Sequence, residues 1–160
     1  MTRMDVFTFS QELILIGLEA STAEEAIRAM AETMQKQGYV KETFLQSVLE
    51  REATHPTGMP TDIPVALPHT GIEHCLMPGI CVAILKTPVE FGMMSDPQTR
   101  LSVRLIFMLS VVDPSAQVKV LQRLIDFFQQ STKISALLDV KDTEAALAIL
   151  NSGLQSVSNA

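Results

Sequence analysis

The 160-residue chain reads as an α/β protein, a three-layer α/β/α sandwich on a mixed sheet. Two observations predict it: segments with apolar residues at helical spacing bracket the chain, and between them lie short, β-prone apolar runs. A third is the punctuation, in which capping residues, glycines and prolines fall at the ends of these segments. With 47% hydrophobic residues the chain can fill one sizeable core. We expect a single domain over residues 1–160, with a core from about residue 6 to 151 and frayed residues 152–160.

Leu13 to Ile16 forms a short apolar run suited to a strand. Ser21-Thr22-Ala23-Glu24 has the spacing of a capping box led by Ser21 and Glu24. Ile27, Met30, Ala31 and Met34 then recur on one helical face, and Gly38 is placed to close the helix in a left-handed turn. A second helix is expected over about 41–52, burying Leu45, Val48 and Leu49. Residues 53–62, punctuated by Pro56, Gly58 and Pro60, read as a loop. Strands are expected at 63–67 and 79–85, separated by a polar turn at 68–74, and 101–111 reads as a central strand. Asp113-Pro114 opens a helix, aspartate capping free amides and proline suiting the first position. Val118, Leu121, Leu124, Ile125 and Phe128 give that helix its apolar face. Two shorter helices follow at about 134–138 and 143–150.

Composition removes several function classes. A net charge of −6, with only 12 scattered basic residues, lacks the clustered cations that nucleic-acid binding needs. Asp5, Gln11, Glu12 and Glu19 interrupt the N-terminal apolar residues, so neither a signal-peptide core nor a spanning helix is expected. Two cysteines, Cys75 and Cys81, make no disulfide framework; both read as buried small hydrophobes in a cytoplasmic protein. No glycine-rich phosphate loop, HExxH or GxSxG occurs. His55, His69, His74, Cys75 and Cys81 are zinc-type ligands, but their spacing fits no zinc pattern, so no metal or cofactor is expected. The methionines fall mostly at core-like positions.

The polar segment 51–74 carries what chemistry remains. In Val65-Ala66-Leu67-Pro68-His69 a strand ends in proline and delivers a histidine to a turn. Imidazole, with an ordinary pKa near 6.5, is largely neutral at cytoplasmic pH and offers a lone pair without a general base. It can attack phosphorus. Phosphoryl transfer then needs donors and positive charge around three equatorial oxygens. Arg51 can supply a planar fork, with His74 or Thr57 adding a donor. Without more context a turn histidine is ordinarily structural, an arginine at a helix end commonly serves the helix dipole, and a threonine before glycine is turn chemistry. His55 has only proximity in its favour.

The ordered set Arg51-Glu52, Pro56-Thr57-Gly58 and Ala66-Leu67-Pro68-His69 resembles the signature of the fructose/mannitol-type EIIA domains of the bacterial phosphoenolpyruvate:sugar phosphotransferase system. The similarity covers nearly the whole chain and implies a mannitol-type EIIA-like fold. Within that family the string REATHPTG, the step from His69 to His74, and Gln117 look like the galactitol-type branch; mannitol- and fructose-type members generally carry a second histidine where Gln117 stands. The resemblance implies that His69 is phosphorylated at Nε2 by phospho-HPr and passes the group to a cysteine of EIIB. It also implies that Arg51 and His74 steady the phosphoryl group, that Thr57 shapes the facing loop, and that Leu67, Ile72 and Met77 are apolar neighbours on the partner surface. The alternatives are a regulatory module in which phosphorylation of His69 controls a protein contact, and a binding domain that has lost transfer. The sugar itself is not specified by these residues.

Overall fold

The computed structural model describes residues 9–158. The expected start of the core at residues 6–8, and the expected fraying at 159–160, lie outside the described residues. A short 3-10 helix, Gln11–Leu13, leads into strand β1 (Ile14–Leu18), followed by helices α1 (Ala23–Lys36) and α2 (Phe44–Thr54). Strand β2 (Val65–Ala66) precedes a single 3-10 turn, Ile72–His74. Strands β3 (Gly79–Met93) and β4 (Asp96–Ser110) form a long hairpin, and helices α3 (Pro114–Phe128), α4 (Ser131–Leu138) and α5 (Thr143–Ser158) follow.

The four strands lie in the order β1-β3-β4-β2. The two outer pairs are parallel and the central pair antiparallel, so the sheet is mixed as expected. Successive side chains of a strand point to opposite faces, and both faces here are covered. On one, Ile27, Met30, Met34 and Val48 pack against Cys81, Ala83, Ile106 and Met108. On the other, Leu124, Phe127, Phe128, Leu137 and Leu150 pack against Val82, Ile84, Leu105 and Phe107. The sandwich therefore has three layers. Burial on both faces explains why the second half of β4 is almost unbroken in apolar residues, the pattern that marked it as central. Phe107 anchors the second layer, its ring centroid 5.0 Å from Phe128 and 6.2 Å from Phe127.

Several boundaries differ from the sequence reading. The cap of α1 is Thr22 rather than Ser21: its hydroxyl accepts from the Glu25 amide at 3.1 Å, while Glu25 accepts from the Ser21 amide at 2.8 Å. Both Ser21–Glu24 and Thr22–Glu25 satisfy the box spacing, and burial of Ala26 and Ile27 selects the second. The C-terminal end is as expected, with Gly38 at φ +85°. Tyr39 N–H donates to the Met34 carbonyl and Gly38 N–H to that of Gln35, the bonds of a Schellman motif. Helix α2 starts at Phe44, after a turn closed by the Phe44 amide on the Lys41 carbonyl. On α3, Val118 is exposed and Val120 takes the buried position. Helix α5 continues through the stretch expected to fray, because Gly153 and Leu154 are buried there and Gly153 lies directly against the Phe127 ring.

Strand β2 is shorter than expected for a chemical reason. Pro64 has no amide hydrogen to donate, and the Leu67 amide is diverted to the Thr57 hydroxyl at 3.1 Å. Only Val65 and Ala66 remain to pair with Leu105 and Ile106. The outer side of β2 is occupied by the preceding loop, where Met59 N–H donates to the Val65 carbonyl at 2.8 Å. Conversely, β3 and β4 run much further than expected. Their register breaks between Ile84 and Val89, which scrambles the alternation at Lys86, Thr87 and Pro88, and the Arg104 side chain bonds the Leu85 carbonyl at the break. The extended hairpin is clamped to the 55–64 loop by Gly58, whose amide donates to the Gly92 carbonyl and whose carbonyl accepts from Met94. A Cβ at position 58 would stand 2.5 Å from the Gly92 oxygen, so only glycine permits this approach.

The cap assignment predicts that Thr22→Ala lowers the unfolding free energy by about 1 kcal/mol. Ser21→Ala should change it by no more than a few tenths of a kcal/mol. Urea denaturation of both variants measures this, and the reverse order would return the cap to Ser21.

Candidate functional site

Pairing of β2 with β4 sets the position of His69. Beyond Ala66 the chain continues alongside β4 for one more bond, from the Leu109 amide to the Pro68 carbonyl, and then turns away at the carboxyl ends of both strands. The His69 ring folds back on its own chain: Nδ1 lies 2.7 Å from the Leu67 carbonyl. A carbonyl only accepts, so Nδ1 carries the hydrogen and Nε2 is left with the lone pair. His69 is 9% exposed, and Nε2 has no hydrogen-bond partner. Among the described residues no fully buried side-chain nitrogen or oxygen lacks a partner, so Nε2 is the edge of the ring that reaches open space.

That space is a cavity of about 390 Å³ lined by Arg51, His55, Thr57, Leu67 and His69, with Leu121 and Ile125 from α3 and Met94 and Pro97 from the hairpin. Burial pushes the His69 pKa below its ordinary 6.5, the bond to Leu67 opposes this, and the nearby Arg51 charge lowers it further. The imidazole is thereby kept neutral beside a guanidinium. Its free nitrogen is nucleophilic, and the arginine can meet an anion bound to it.

The structure brings three of the expected residues, Arg51, Thr57 and His69, around one cavity. His55, which had only proximity to recommend it, lines the same cavity, with its Nδ1 3.0 Å from the Thr54 hydroxyl. His74 does not line it. Its Nδ1 lies 2.8 Å from the Thr43 hydroxyl, and its Nε2 is 3.7 Å from Glu73. Gln117 does not line the cavity; its amide donates to the Thr70 carbonyl at 3.3 Å. The Thr70 hydroxyl meets that of Ser47 on α2, so the residue after His69 is held from two helices. Of the apolar residues expected at the rim, Met77 is exposed but Leu67 is buried.

Sequence reasoning missed Glu52. Its carboxylate accepts from the Thr57 amide and from the Thr57 hydroxyl, each at 2.9 Å, and burial raises its pKa above the ordinary 4.5. The cysteines are buried as expected, and the Cys81 thiol is pushed up to about 12 by burial in β3. Among the described residues no three His, Cys, Asp or Glu side chains are grouped as a metal site, and no helix is long and apolar enough to cross a membrane.

The site is thus a histidine at the ends of two parallel strands in a mixed four-stranded sheet between helical layers. The family model for the phosphoenolpyruvate-dependent sugar phosphotransferase system, EIIA 2, matches residues 7–153, and the chain belongs to this family. It is 34% identical over 102 residues, 62% of its length, to the mannitol-specific EIICBA component of Escherichia coli K12, of which it spans 16%. It is 27% identical over 129 residues to the galactitol-specific EIIA component of the same strain, covering 80% of this chain and 85% of that one. The solved complex of enzyme IIA mannitol with phosphorylated enzyme IIB mannitol from Escherichia coli superposes with a TM-score of 0.76. It is 26% identical and covers 91% of this chain and 99% of that one.

The neutral His69 has a signature in pH. Its NMR titration midpoint should fall below 6.5, since burial and Arg51 both disfavour the proton. As pH drops, the unfolded chain takes up this proton first, so the residue's contribution to stability is lost on descending from the ordinary midpoint towards the lowered one. A midpoint at or above 6.5 contradicts the buried, neutral ring.

Proposed function

We propose that the chain is a single EIIA domain over residues 1–160 and a phosphocarrier of a sugar phosphotransferase system. Phospho-HPr is its donor, His69 its acceptor residue, and an EIIB cysteine the next carrier. The observation that carries this reading is the bond from His69 Nδ1 to the Leu67 carbonyl, which leaves Nε2 as a free lone pair in a cavity shared with Arg51. In the first transfer Nε2 attacks the phosphorus of the donor phosphohistidine. A new P–N bond forms, and the old one breaks with its electron pair returning to the donor imidazole. In the second, the EIIB thiolate attacks the same phosphorus and His69 recovers its lone pair.

The side chains divide the work by position. Arg51 meets the phosphoryl oxygens in the cavity; it is exposed at the end of α2 and free to adjust to each partner. Thr57 holds the loop facing His69. His74 supports the far end of the turn through Thr43, and Gln117 fixes the Thr70 carbonyl. The galactitol-like reading rests on Gln117 and on the extent of similarity to a galactitol-specific EIIA component. On this reading the chain acts in the cytoplasm, and the sugar or polyol is chosen by the membrane component of the system.

The deciding experiment incubates the protein with phosphoenolpyruvate, EI and HPr, followed by intact-mass analysis and peptide mapping at alkaline pH. One phosphate on His69 is expected, and none on a folded His69→Ala variant; label persisting in that variant would sink the assignment. A regulatory module would also accept the label, so transfer onward to EIIB separates the two readings. Arg51→Ala should slow acceptance on the order of a hundredfold. His74→Gln, which can keep a bond to Thr43, should slow it far less, and equal losses would place His74 beside the phosphoryl group.

A further inference from the structure

Glu52 follows Arg51 on α2 but lines a second recess, between α1, α2 and the β3–β4 hairpin, with Ala23, Ile27, Phe91 and Gly92. Its carboxylate is acceptor-only when ionised and takes both donors of Thr57, the amide and the hydroxyl. With the hydroxyl hydrogen committed to Glu52, the Thr57 oxygen presents its lone pairs elsewhere, and the Leu67 amide donates to it at 3.1 Å. The peptide on the other side of Leu67 supplies the carbonyl that receives His69 Nδ1–H at 2.7 Å. Three hydrogen bonds therefore run in one direction, from the imidazole towards the carboxylate. They fix both peptide planes that flank Leu67.

We propose that Glu52 is a positioning residue for phosphoryl acceptance by His69, acting through Thr57 and the backbone of Leu67 to hold the ring and its Nδ1–H tautomer. The inference rests on the reading of His69 as acceptor. The coupling is geometric, because the Leu67 amide and carbonyl belong to different peptide groups. Burial disfavours the charge on Glu52, while the Thr57 bonds and Arg51 favour it. An amide in its place would offer one acceptor to two donors and bring donors of its own. The other charged groups lining the recess are Glu24 on α1, Glu90 on β3 and Arg100 on β4.

The test compares Glu52→Gln, Thr57→Val and Thr57→Ser, reading the phosphorylation rate and the tautomer of His69 by ¹⁵N NMR of the ring. Glu52→Gln and Thr57→Val should slow acceptance tenfold to a hundredfold, on the order expected for a misplaced reacting group. Both should mix the two tautomers, and Thr57→Ser, which keeps the hydroxyl, should restore rate and tautomer. A purely structural role would lower the melting temperature and leave the ring as Nδ1–H. Folded Glu52→Gln and Thr57→Val proteins with unchanged rate and tautomer overturn the proposal. Should either variant not fold, the unsubstituted protein decides: the Thr57 hydroxyl hydrogen and His69 Nδ1–H should both exchange slowly with solvent, and fast exchange of either overturns it. The tautomer is read without phosphate, so its failure is distinct from a failure of His69 to accept phosphate.

Discussion

The register of β2 against β4 is the constraint from which the site follows. Val65 and Ala66 pair with Leu105 and Ile106 in the buried second half of β4, and that half is fixed by packing on both faces. A slip of one residue would turn Val65 and Leu67 out of one layer and Ala66 out of the other. With the register set, Pro68 and His69 fall at the end of the sheet. The backbone pairing of the sheet thus ends one residue before the proposed chemistry begins.

The electrostatics follow from depth. A wholly exposed histidine would be partly protonated near neutral pH, and a fully buried one would offer no nitrogen to a partner. His69 lies between these limits, with one edge bonded to its own backbone and the other open. Burial and Arg51 suppress the proton, and the same guanidinium is available to an incoming anion. On the proposed function, the side chain that adds to the effect of burial on the ring is also the one that meets the phosphoryl group.

Much of this was legible in the chain. The Pro68-His69 turn, the Gly38 stop, the Asp113 cap and the central character of β4 each depend on local chemistry or an unbroken apolar run. The resemblance in 51–69 supplied the family. The unread parts depend on contacts distant in sequence or on two local signals that compete. Met94 and Pro97 reach the cavity only because β3 and β4 extend past a register break, where Lys86, Thr87 and Pro88 look like a loop. Glu52 read as half of a dipeptide, because its function depends on where Thr57 lies after the intervening turn. The start of α1 slipped by one because two box spacings overlap. His74 looked close to His69 along the chain, yet the intervening turn directs its ring to Thr43.

The short strand β2 also decides how the sheet ends. An exposed strand edge is a template on which another chain can build, and proteins defend against it. Here Pro64 and Pro68 stand on either side of the pair and have no hydrogen to give, the Leu67 amide is taken by Thr57, and Met59 already occupies the Val65 carbonyl. No length of free backbone remains for a foreign strand to register against. On the proposed function the protein meets one partner after another and releases each, and it is guarded against adhesion by sheet extension along the border beside its proposed reactive residue.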